Sequence, residues 1–527
     1  MKGNRWILGG SGRVVAAAVV AAAVSGAPRA RASDFVDTRL TFLLSDENVL
    51  VAPGQTEPSI PGVHVGFPTY QNLQFYDNFD TKYTGFENLS NLTLYKALPS
   101  FFPNLDSEAA LVITMLDYGS AVVIQDQSSY IRMHYHPPSW GDSPHEGIFL
   151  TTFPTSSDRM RLGFSYRISW GGDAIFPQGT PPVLGPLLPT TTAPGAKLEI
   201  NHANWYAWLG TKGTEILDPK ISQPTVNYGV LGGAGVDITP RWRLEGNGGY
   251  FSQGGNPDTD VLDAPVWVAG GSARLSYHVG VPVGTSIDFR LYRNDPMLPQ
   301  RFFGPEQYPG GWSYSISLEA TYLRQALKNP DLSGTTGMYP NDPYPQAGAL
   351  WIRAKHNFDR LWVLAETRDL AFIEVNQPGF IPYNSYPQDA SVTPEVFGAV
   401  GYDHNFPKVH ITPGLDVGVE QPASFSSTEL SLGGNNPPVG LSGKHTVVVY
   451  DLGEQSVLPP GKGSVPLFSV KGTFRWDISD AFAAVGELYF RIDNNQTTFY
   501  SSVAGLAEPV FSTPFDLGFN AVLQARF

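Results

Sequence analysis

The residues best suited to chemistry lie in one stretch, RMHYHPPSWGDSPHE (132–146). His134 and His136 are spaced like side chains on one face of a strand, and His145 and Glu146 follow after a short loop, so the four could ligate a metal ion. Histidines two residues apart also arise by chance, and the chain has no Cys to complete a thiolate site. The sequence therefore predicts no metal site and no cofactor.

The same stretch contains Gly141-Asp142-Ser143, a triplet that could surround a nucleophilic serine. A nucleophile needs a base and an orienting group within reach, and Pro144 removes the backbone N–H most often used for an oxyanion hole. Turn-forming residues explain the triplet better. The acidic segment 77–87 lacks the spacing of a calcium loop. We expect no enzyme, and no nucleic-acid partner, because basic runs and phosphate-binding loops are missing from the sequence.

The elements that must position any site are segments in which apolar and polar residues alternate, the period of a β-strand. The clearest are 241–250, 312–322, 409–420, 468–476 and 482–492. Each lasts roughly ten residues, about what a tilted strand needs to cross a bilayer. No run of about 18 apolar residues follows residue 32, so a membrane-spanning helix is not expected.

The apolar faces of these segments mix Gly and Ala with aromatic residues near the ends, which suits a lipid-facing band. In lipid, strands can pair all their backbone groups only in a closed barrel. We therefore expect an all-β fold, a single transmembrane antiparallel β-barrel of about 16 strands, with about 14 or about 18 as alternatives. A secreted β-sandwich is the competing fold.

The first 32 residues have the form of a cleaved signal peptide. Lys2 and Arg5 precede an apolar run at 14–24, and Ala30-Arg31-Ala32 resembles a cleavage site. Cleavage would remove five basic residues and no acid, changing the formal net charge from −14 to −19. We divide the chain into a signal peptide at 1–32, a first strand plus a Pro-rich acidic loop or constriction at 33–107, and a barrel at 108–527.

The chain ends in GFNAVLQARF (518–527), which alternates without interruption and finishes on an aromatic residue. This end resembles the assembly signal of Gram-negative outer-membrane β-barrel proteins of the porin-like class. The resemblance implies an outer-membrane location, contact with lipid, and recognition by the barrel-insertion machinery. The matching positions are Phe519, Ala521, Leu523, Ala525 and Phe527.

The connections predict which end of the barrel faces the periplasm. Four are tight: VDITPRW (236–242), KHNFDRL (355–361), DHNFPKV (403–409) and WDISDAF (476–482). Others are long, at 171–195, 421–443 and 494–514. Short periplasmic turns and long extracellular loops are the bacterial pattern. HTVVVYDL (445–452) would reverse this order if it crossed the membrane, so we assign it to a long outer loop or to an extension of the barrel wall.

The polar faces of the strands carry more basic than acidic residues, although the chain as a whole is acidic. A basic lumen favours anions, so we expect a porin-like channel for small, anionic solutes. An equal alternative is that these cations neutralise acidic residues that face them across the interior and have only a structural role. Export of an anionic polymer, an outer-membrane enzyme and a surface scaffold are the alternative functions, and nothing distinguishes a monomer from an oligomer. The expected pore-lining residues are Arg241, Arg243, Arg274, Arg290, Arg353, Lys355, Arg368, Lys471, Arg475 and Arg491.

Overall fold

The structure, a computed structural model, describes part of the chain. The expected signal peptide at 1–32, Arg290 and Phe527 lie outside the described residues. The described residues are 37–46, 50, 87–117, 122–126, 129–140, 146–153, 162–163, 194–218, 223–255, 265–280, 308, 310–328, 338–340, 345–376, 390–428, 443–449, 455–501 and 507–526.

These residues form mainly β-strands. Within them there is also one short helix, α1, at Leu370–Asn376. No helix in the described part is both long and apolar enough to cross a membrane. The strands are β1 Asp37–Asp46, β2 Glu87–Phe102, β3 Leu105–Asp117, β4 Val122–Asp126, β5 Tyr130–Tyr135, β6 Gly147–Phe153, β7 Gly195–His202, β8 Trp205–Asp218, β9 Gln223–Thr239, β10 Trp242–Gly255, β11 Pro265–Val279, β12 Ser313–Lys328, β13 Met338–Pro340, β14 Gln346–His356, β15 Asp359–Arg368, β16 Ser391–Thr393, β17 Glu395–His404, β18 Ile411–Gln421, β19 Ser424–Ser427, β20 His445–Val449, β21 Gln455–Val457, β22 Leu467–Ser479, β23 Phe482–Ile492, β24 Thr497–Ser501, β25 Ala507–Phe511 and β26 Phe515–Arg526.

One large antiparallel sheet contains twenty of the described strands. Two of these, β4 and β13, pair on one side only, which leaves eighteen that pair on both sides. The ladder returns on itself, because β1 pairs with β2 on one side and with β26 on the other. The expected number of about sixteen strands is not confirmed, since this ladder contains eighteen. The first two strands lie within residues 33–107 and belong to the same sheet.

Burial alternates along the strands, and the apolar residues are on the exposed face. In β10, Trp242, Leu244 and Tyr250 are exposed by 41%, 44% and 47%, whereas Arg243 and Glu245 are exposed by 3% and 1%. The same inversion holds in β12, β17, β18, β22 and β23. A soluble sandwich buries its apolar face, so this arrangement contradicts the competing fold and confirms which face of each strand is apolar.

Aromatic residues on the exposed face lie at two levels. Three strands carry an aromatic pair separated by eight positions: Trp242 and Tyr250 in β10, Tyr314 and Tyr322 in β12, and Phe468 and Trp476 in β22. Eight steps cover about 27 Å along a strand, or about 20 Å across a bilayer when strands tilt by roughly 40°. The two levels therefore enclose an apolar band somewhat shorter than the band of about 25 Å on bacterial transmembrane barrels.

All four predicted tight connections are confirmed, and they lie at the same end of the sheet, here called the short-turn end. They join β9 to β10, β14 to β15, β17 to β18 and β22 to β23. β1 begins and β26 ends at this end too. Some turns there place a residue at positive φ, as Asn104, Ala203 and Asn357 do, which suits closely paired hairpin strands.

One connection departs from the expected pattern. Residues 280–312 join β11 to β12 and form a long segment, yet both its ends lie at the short-turn end. Tyr277 is paired with Trp242 beside one tight turn, and Ser313 is paired with Lys355 beside another. The separation into short turns at one end and long loops at the other therefore has an exception that the sequence pattern did not predict.

A second, four-stranded sheet of β16, β19, β20 and β21 packs with α1. Its strand β20 covers most of HTVVVYDL, and it pairs only with β19 and β21 among the described strands, while β18 pairs directly with β22. The assignment of this stretch to a long connection is therefore confirmed. Leu370, Ile373, Val447 and Val449 form part of the apolar core between α1 and this small sheet.

Candidate functional site

Ion pairs occupy the buried face of the large sheet from one end to the other. In the short-turn half they are Arg243–Asp237, Arg274–Glu245, Arg360–Asp403 and Arg475–Asp477. In the long-loop half they are Lys197–Glu199, Lys471 with Asp416 and Glu487, Arg368–Glu395 and Arg491–Asp516. Most of these side chains are buried, so each charge depends on its partner for stabilisation.

Two of these pairs show how the strand register creates them. Arg368 at the end of β15 is paired in register with Glu395 at the start of β17. Its Nε and Nη2 donate to the two carboxylate oxygens at 2.9 and 2.7 Å, a bidentate geometry. Arg491 of β23 is likewise in register with Asp516 of β26, and its Nε donates to Oδ2 at 2.8 Å. Gln496 donates to the same oxygen at 2.9 Å, which fixes the carboxylate further.

Nine of the ten basic residues predicted to line a pore lie in the described part of the chain. Six of them pair with acids: Arg243, Arg274, Arg368, Lys471, Arg475 and Arg491. Arg241 is exposed in the turn before β10. Arg353 is exposed, with its guanidinium 4.3 Å from the centroid of the Trp351 ring, and the Lys355 ammonium lies 5.5 Å from that of Tyr308.

Sequence reasoning missed three basic residues with the same geometry: Arg132, Lys197 and Arg360. Arg132 pairs with Glu108 at 2.6 Å, and Tyr95 and Tyr130 donate to that carboxylate at 2.9 and 3.3 Å. All three follow the alternation of their strands, which is the signal that could have found them. Arg360 also falls within the tight connection predicted at 355–361.

At the short-turn end, Tyr308 contacts residues of the large sheet. This residue lies near the end of the long connection 280–312. Its hydroxyl donates to Asp403 Oδ1 at 3.0 Å, and Arg360 pairs with the same carboxylate. Its ring lies 6.4 Å from that of Phe358 and close to Lys355. These contacts hold a bulky side chain of the connection against the buried face of the sheet.

Apolar side chains of α1 and β20 pack against the buried face of the large sheet. Buried side chains of the large sheet, among them Trp351, Trp362 and Phe397, form one cluster with Phe372 of α1 and Val448 of β20. The helix is capped by Asp369, whose Oδ1 accepts the N–H of Phe372 at 2.7 Å, while Oδ2 accepts the N–H of Gln346 at 2.8 Å. Burial raises the pKa of Asp369 to about 6, against the opposing effect of these two hydrogen bonds.

The proposed assembly residues lie in β26. Ala521 and Leu523 are on the exposed face and Phe519 is half-buried, as the alternation requires. Ala525 has the same parity but is 2% exposed; it is paired in register with Phe482 of β23, and its side chain is small.

The carboxylate beside the two histidines differs from the one that the sequence suggests. His134 and His136 come together, but their acidic neighbour is Asp106 of β3, whose Oδ2 lies 3.0 Å from His136 Nε2. Glu146 takes part through its backbone carbonyl, which is 2.9 Å from His134 Nε2, and its carboxylate lies 3.3 Å from His202. His145, the triplet 141–143 and most of 77–87 lie outside the described residues.

No protein-family model matches the sequence, and no curated protein sequence matches it. Solved structures do match. A BenF-like porin from Pseudomonas fluorescens Pf-5 is 8% identical, with a TM-score of 0.45 over 94% of this chain and 98% of that one. The outer membrane protein opdK from Pseudomonas aeruginosa is 7% identical, with a TM-score of 0.43 over 93% and 98%. OccK2 (OpdF) from the same organism, in complex with glucuronate, is 8% identical, with a TM-score of 0.44 over 94% and 99%. The first is described as a porin and the second as an outer membrane protein.

Proposed function

We propose that this protein is an outer-membrane channel in which the ladder of eighteen strands closes a transmembrane β-barrel. The observation that carries the proposal is the inverted burial of the strands. Their apolar face is exposed and bounded by two levels of aromatic residues, while their charged face is buried. Only a protein that has lipid outside and a polar interior gains stability from that arrangement.

We infer that the channel passes small solutes selectively. Tyr308 narrows the interior at the short-turn end, and α1 with β20 narrows it at the long-loop end. These contacts leave less room than the bare ring of strands would, which supports small solutes over the export of a polymer. A polar lining with a constriction at each end also supports a channel over a surface scaffold or an enzyme.

Among small solutes we propose a preference for anions. Six of the predicted cations form ion pairs with acids, and three further ones, Arg241, Arg353 and Lys355, lie near the short-turn end. Arg241 and Arg353 are exposed there, and Arg353 and Lys355 extend from the buried-face positions of β14. Exposed cations at a mouth raise the local concentration of anions.

We further propose that the short-turn end faces the periplasm, that outer-membrane lipid surrounds the exposed face, and that the insertion machinery binds β26. The last strand ends at the short-turn end, where the machinery reaches it from the periplasm. Its exposed face carries Phe515, Ala521 and Leu523 in alternation.

Conductance across a planar lipid bilayer tests the channel. The purified, folded protein should produce stable unitary steps with a conductance that is small for a barrel of this size, because both ends are narrowed. A protein that inserts into the bilayer but gives no steps at any voltage would contradict the channel and favour the scaffold or the enzyme.

A further inference from the structure

Three side chains with metal-ligating atoms, Asp106, His134 and His136, lie together at the short-turn end of β3 and β5. Asp106 and His134 are directly paired residues of these antiparallel strands. His136 follows His134 by two positions, and its backbone N–H continues the ladder by donating to the carbonyl of Asn104 at 2.7 Å. The strand register therefore places all three side chains on one face, beside Arg132 and Glu108.

The distances between these groups are close to those of a coordination sphere. His136 Nε2 lies 3.0 Å from Asp106 Oδ2, and the centroids of the two imidazole rings are 3.6 Å apart. One ligand atom from each of the three side chains lies within 4.8 Å of the others. Ligand atoms around tetrahedral Zn²⁺ are about 3.4 Å apart, so a movement of about 1 Å by the Asp106 and His136 side chains, with the His134 ring in place, brings the three groups to that spacing.

His134 already has the surroundings of a metal-bound histidine. Its Nε2 lies 2.9 Å from the carbonyl oxygen of Glu146, which can only accept, so Nε2 carries the proton and Nδ1 keeps its lone pair. A hydrogen bond of this kind from the second ring nitrogen orients most histidine ligands in metalloproteins. Phe149 stacks on the imidazole ring with centroids 3.8 Å apart.

Gly147 makes the close packing of His134 possible. It has a φ of +148°, and a Cβ at this position would lie 2.3 Å from His134 Nε2 and 2.6 Å from the carbonyl oxygen of Tyr135. A larger residue would displace the ring, so the glycine, the phenyl ring and the carbonyl together hold the imidazole in one orientation. An ion pair between His136 and Asp106 alone would need none of these contacts.

We propose that Asp106, His134 and His136 bind a divalent transition-metal ion of the Zn²⁺ class. Two imidazoles and one carboxylate suit Zn²⁺, Ni²⁺ or Cu²⁺, whereas Ca²⁺ and Mg²⁺ prefer oxygen ligands. Three protein ligands leave one position open, as in zinc sites that bind water or an exchangeable ligand. The site is formed by the strand register alone, so it does not rest on the proposed channel function.

Calorimetric titration of Zn²⁺ into the full, folded protein in detergent tests the site. One ion should bind per chain, and H136Q and D106N should each lower the affinity at least tenfold. Both side chains lie next to turns, Asp106 with 66% of its side chain exposed, so the variants should keep the heat-modifiable gel mobility of a folded barrel.

The matched control is H404Q. His404 lies 2.7 Å from Asp359 at the same end of the sheet, and the hydroxyl of Tyr402 bonds to that carboxylate, so the residue forms a histidine–carboxylate pair outside the cluster. Its loss should leave the affinity unchanged. Co²⁺ provides a second probe, since its visible absorption bands should shift when it enters the wild-type site and not in H136Q. Equal Zn²⁺ affinity of H136Q, D106N and the wild type, or a loss confined to H404Q, would overturn the proposal.

Discussion

Arg368 and Glu395 form a buried bidentate ion pair of the large sheet, with side chains exposed by 0% and 4%. Taking two charges out of water is costly, and the hydrogen bonds between them offset that cost only while both partners are present. Two apolar residues would fill the same space without the cost of removing charges from water. The ion pair therefore contributes little net stability, and its main effect is to fix the register of the two strands.

Replacement of one partner should therefore lower the free energy of unfolding more than replacement of both. We expect R368M to lower the free energy of unfolding by about 3 to 5 kcal/mol, because Glu395 is left as an uncompensated buried charge. The double variant R368M/E395M should recover most of the loss. Urea unfolding followed by tryptophan fluorescence in detergent measures both. A single variant that is as stable as the wild type would mean that water reaches Glu395.

At the scale of elements, α1 is held by one carboxylate whose ionisation is unfavourable. Asp369 has a pKa raised to about 6, above an ordinary value of about 3.9. The folded state therefore binds its proton more tightly than the unfolded chain does. The resulting stability is fully present below about pH 4 and is lost as the pH rises through about 6.

Acidification from pH 7 to pH 4.5 should consequently stabilise the wild type relative to D369N, by at most about 2 kcal/mol. The amide of D369N keeps an oxygen for one of the two N–H donors but cannot titrate. The comparison is made from unfolding midpoints at each pH, with the difference between the two proteins as the observable. A difference that stays constant from pH 7 to pH 4.5 would show that Asp369 ionises normally.

The sequence pattern and the structure disagree about the side of the membrane on which one connection lies, and the accessibility of epitope tags tests this. Epitope tags at 428–438 should be reachable from outside intact cells, whereas tags at 240–241 or 480–481 should not. A tag at 290–300 should also be unreachable, because both ends of 280–312 lie at the short-turn end, although its length alone suggests an outer loop. Antibody labelling of whole and lysed cells gives the answer. Labelling of the 290–300 tag on whole cells would contradict the assigned connectivity.

The last strand makes a prediction about assembly. Deletion of Phe527 should reduce the amount of folded barrel in the outer membrane, because this aromatic residue continues the alternation of apolar residues in the sequence that follows β26. Heat-modifiable mobility of outer-membrane fractions measures folded protein. The matched control F515A changes an aromatic residue on the same face at the other end of the strand and should assemble more fully than the deletion. Wild-type assembly of the deletion would mean that the residue is not part of the signal.

At the scale of the whole molecule, the proposed preference for anions does not require a positive net charge. The chain carries −14, but acids farther than about one Debye length from the constriction, about 8 Å in physiological salt, are largely screened. The buried pairs largely cancel within themselves. Arg241 and Arg353 are exposed at the short-turn end, where an ion that enters the proposed channel meets them.

The reversal potential in a salt gradient should show anion preference for the wild type. In R241Q/R353Q the reversal potential should shift in the direction that indicates a weaker preference for anions. R324Q is the matched control, because Arg324 is an exposed arginine at the long-loop end of β12, close to the ring of Trp267. It should leave the potential unchanged. A wild-type channel that prefers cations would remove the role proposed for Arg241 and Arg353 and leave the arginines as structural partners of acids.

The sequence by itself determined the clearest strands, the apolar face of each of them and the four tight turns, because these depend on neighbouring residues. A period of two places Trp242 and Arg243 on opposite faces whatever the rest of the chain does. Turn residues such as Asn357 act just as locally.

Only the tertiary structure decided which distant residues meet. Arg39 and Arg526 are paired at the junction that closes the ladder, Arg368 meets Glu395, and Asp106 rather than Glu146 supplies the carboxylate beside the histidines. It also placed both ends of the connection 280–312 at the short-turn end, since that depends on how many strands precede the connection. These outcomes follow from the register between strands and the order of their pairing. A repeat of two residues leaves both undetermined, because every shift by two gives the same alternation.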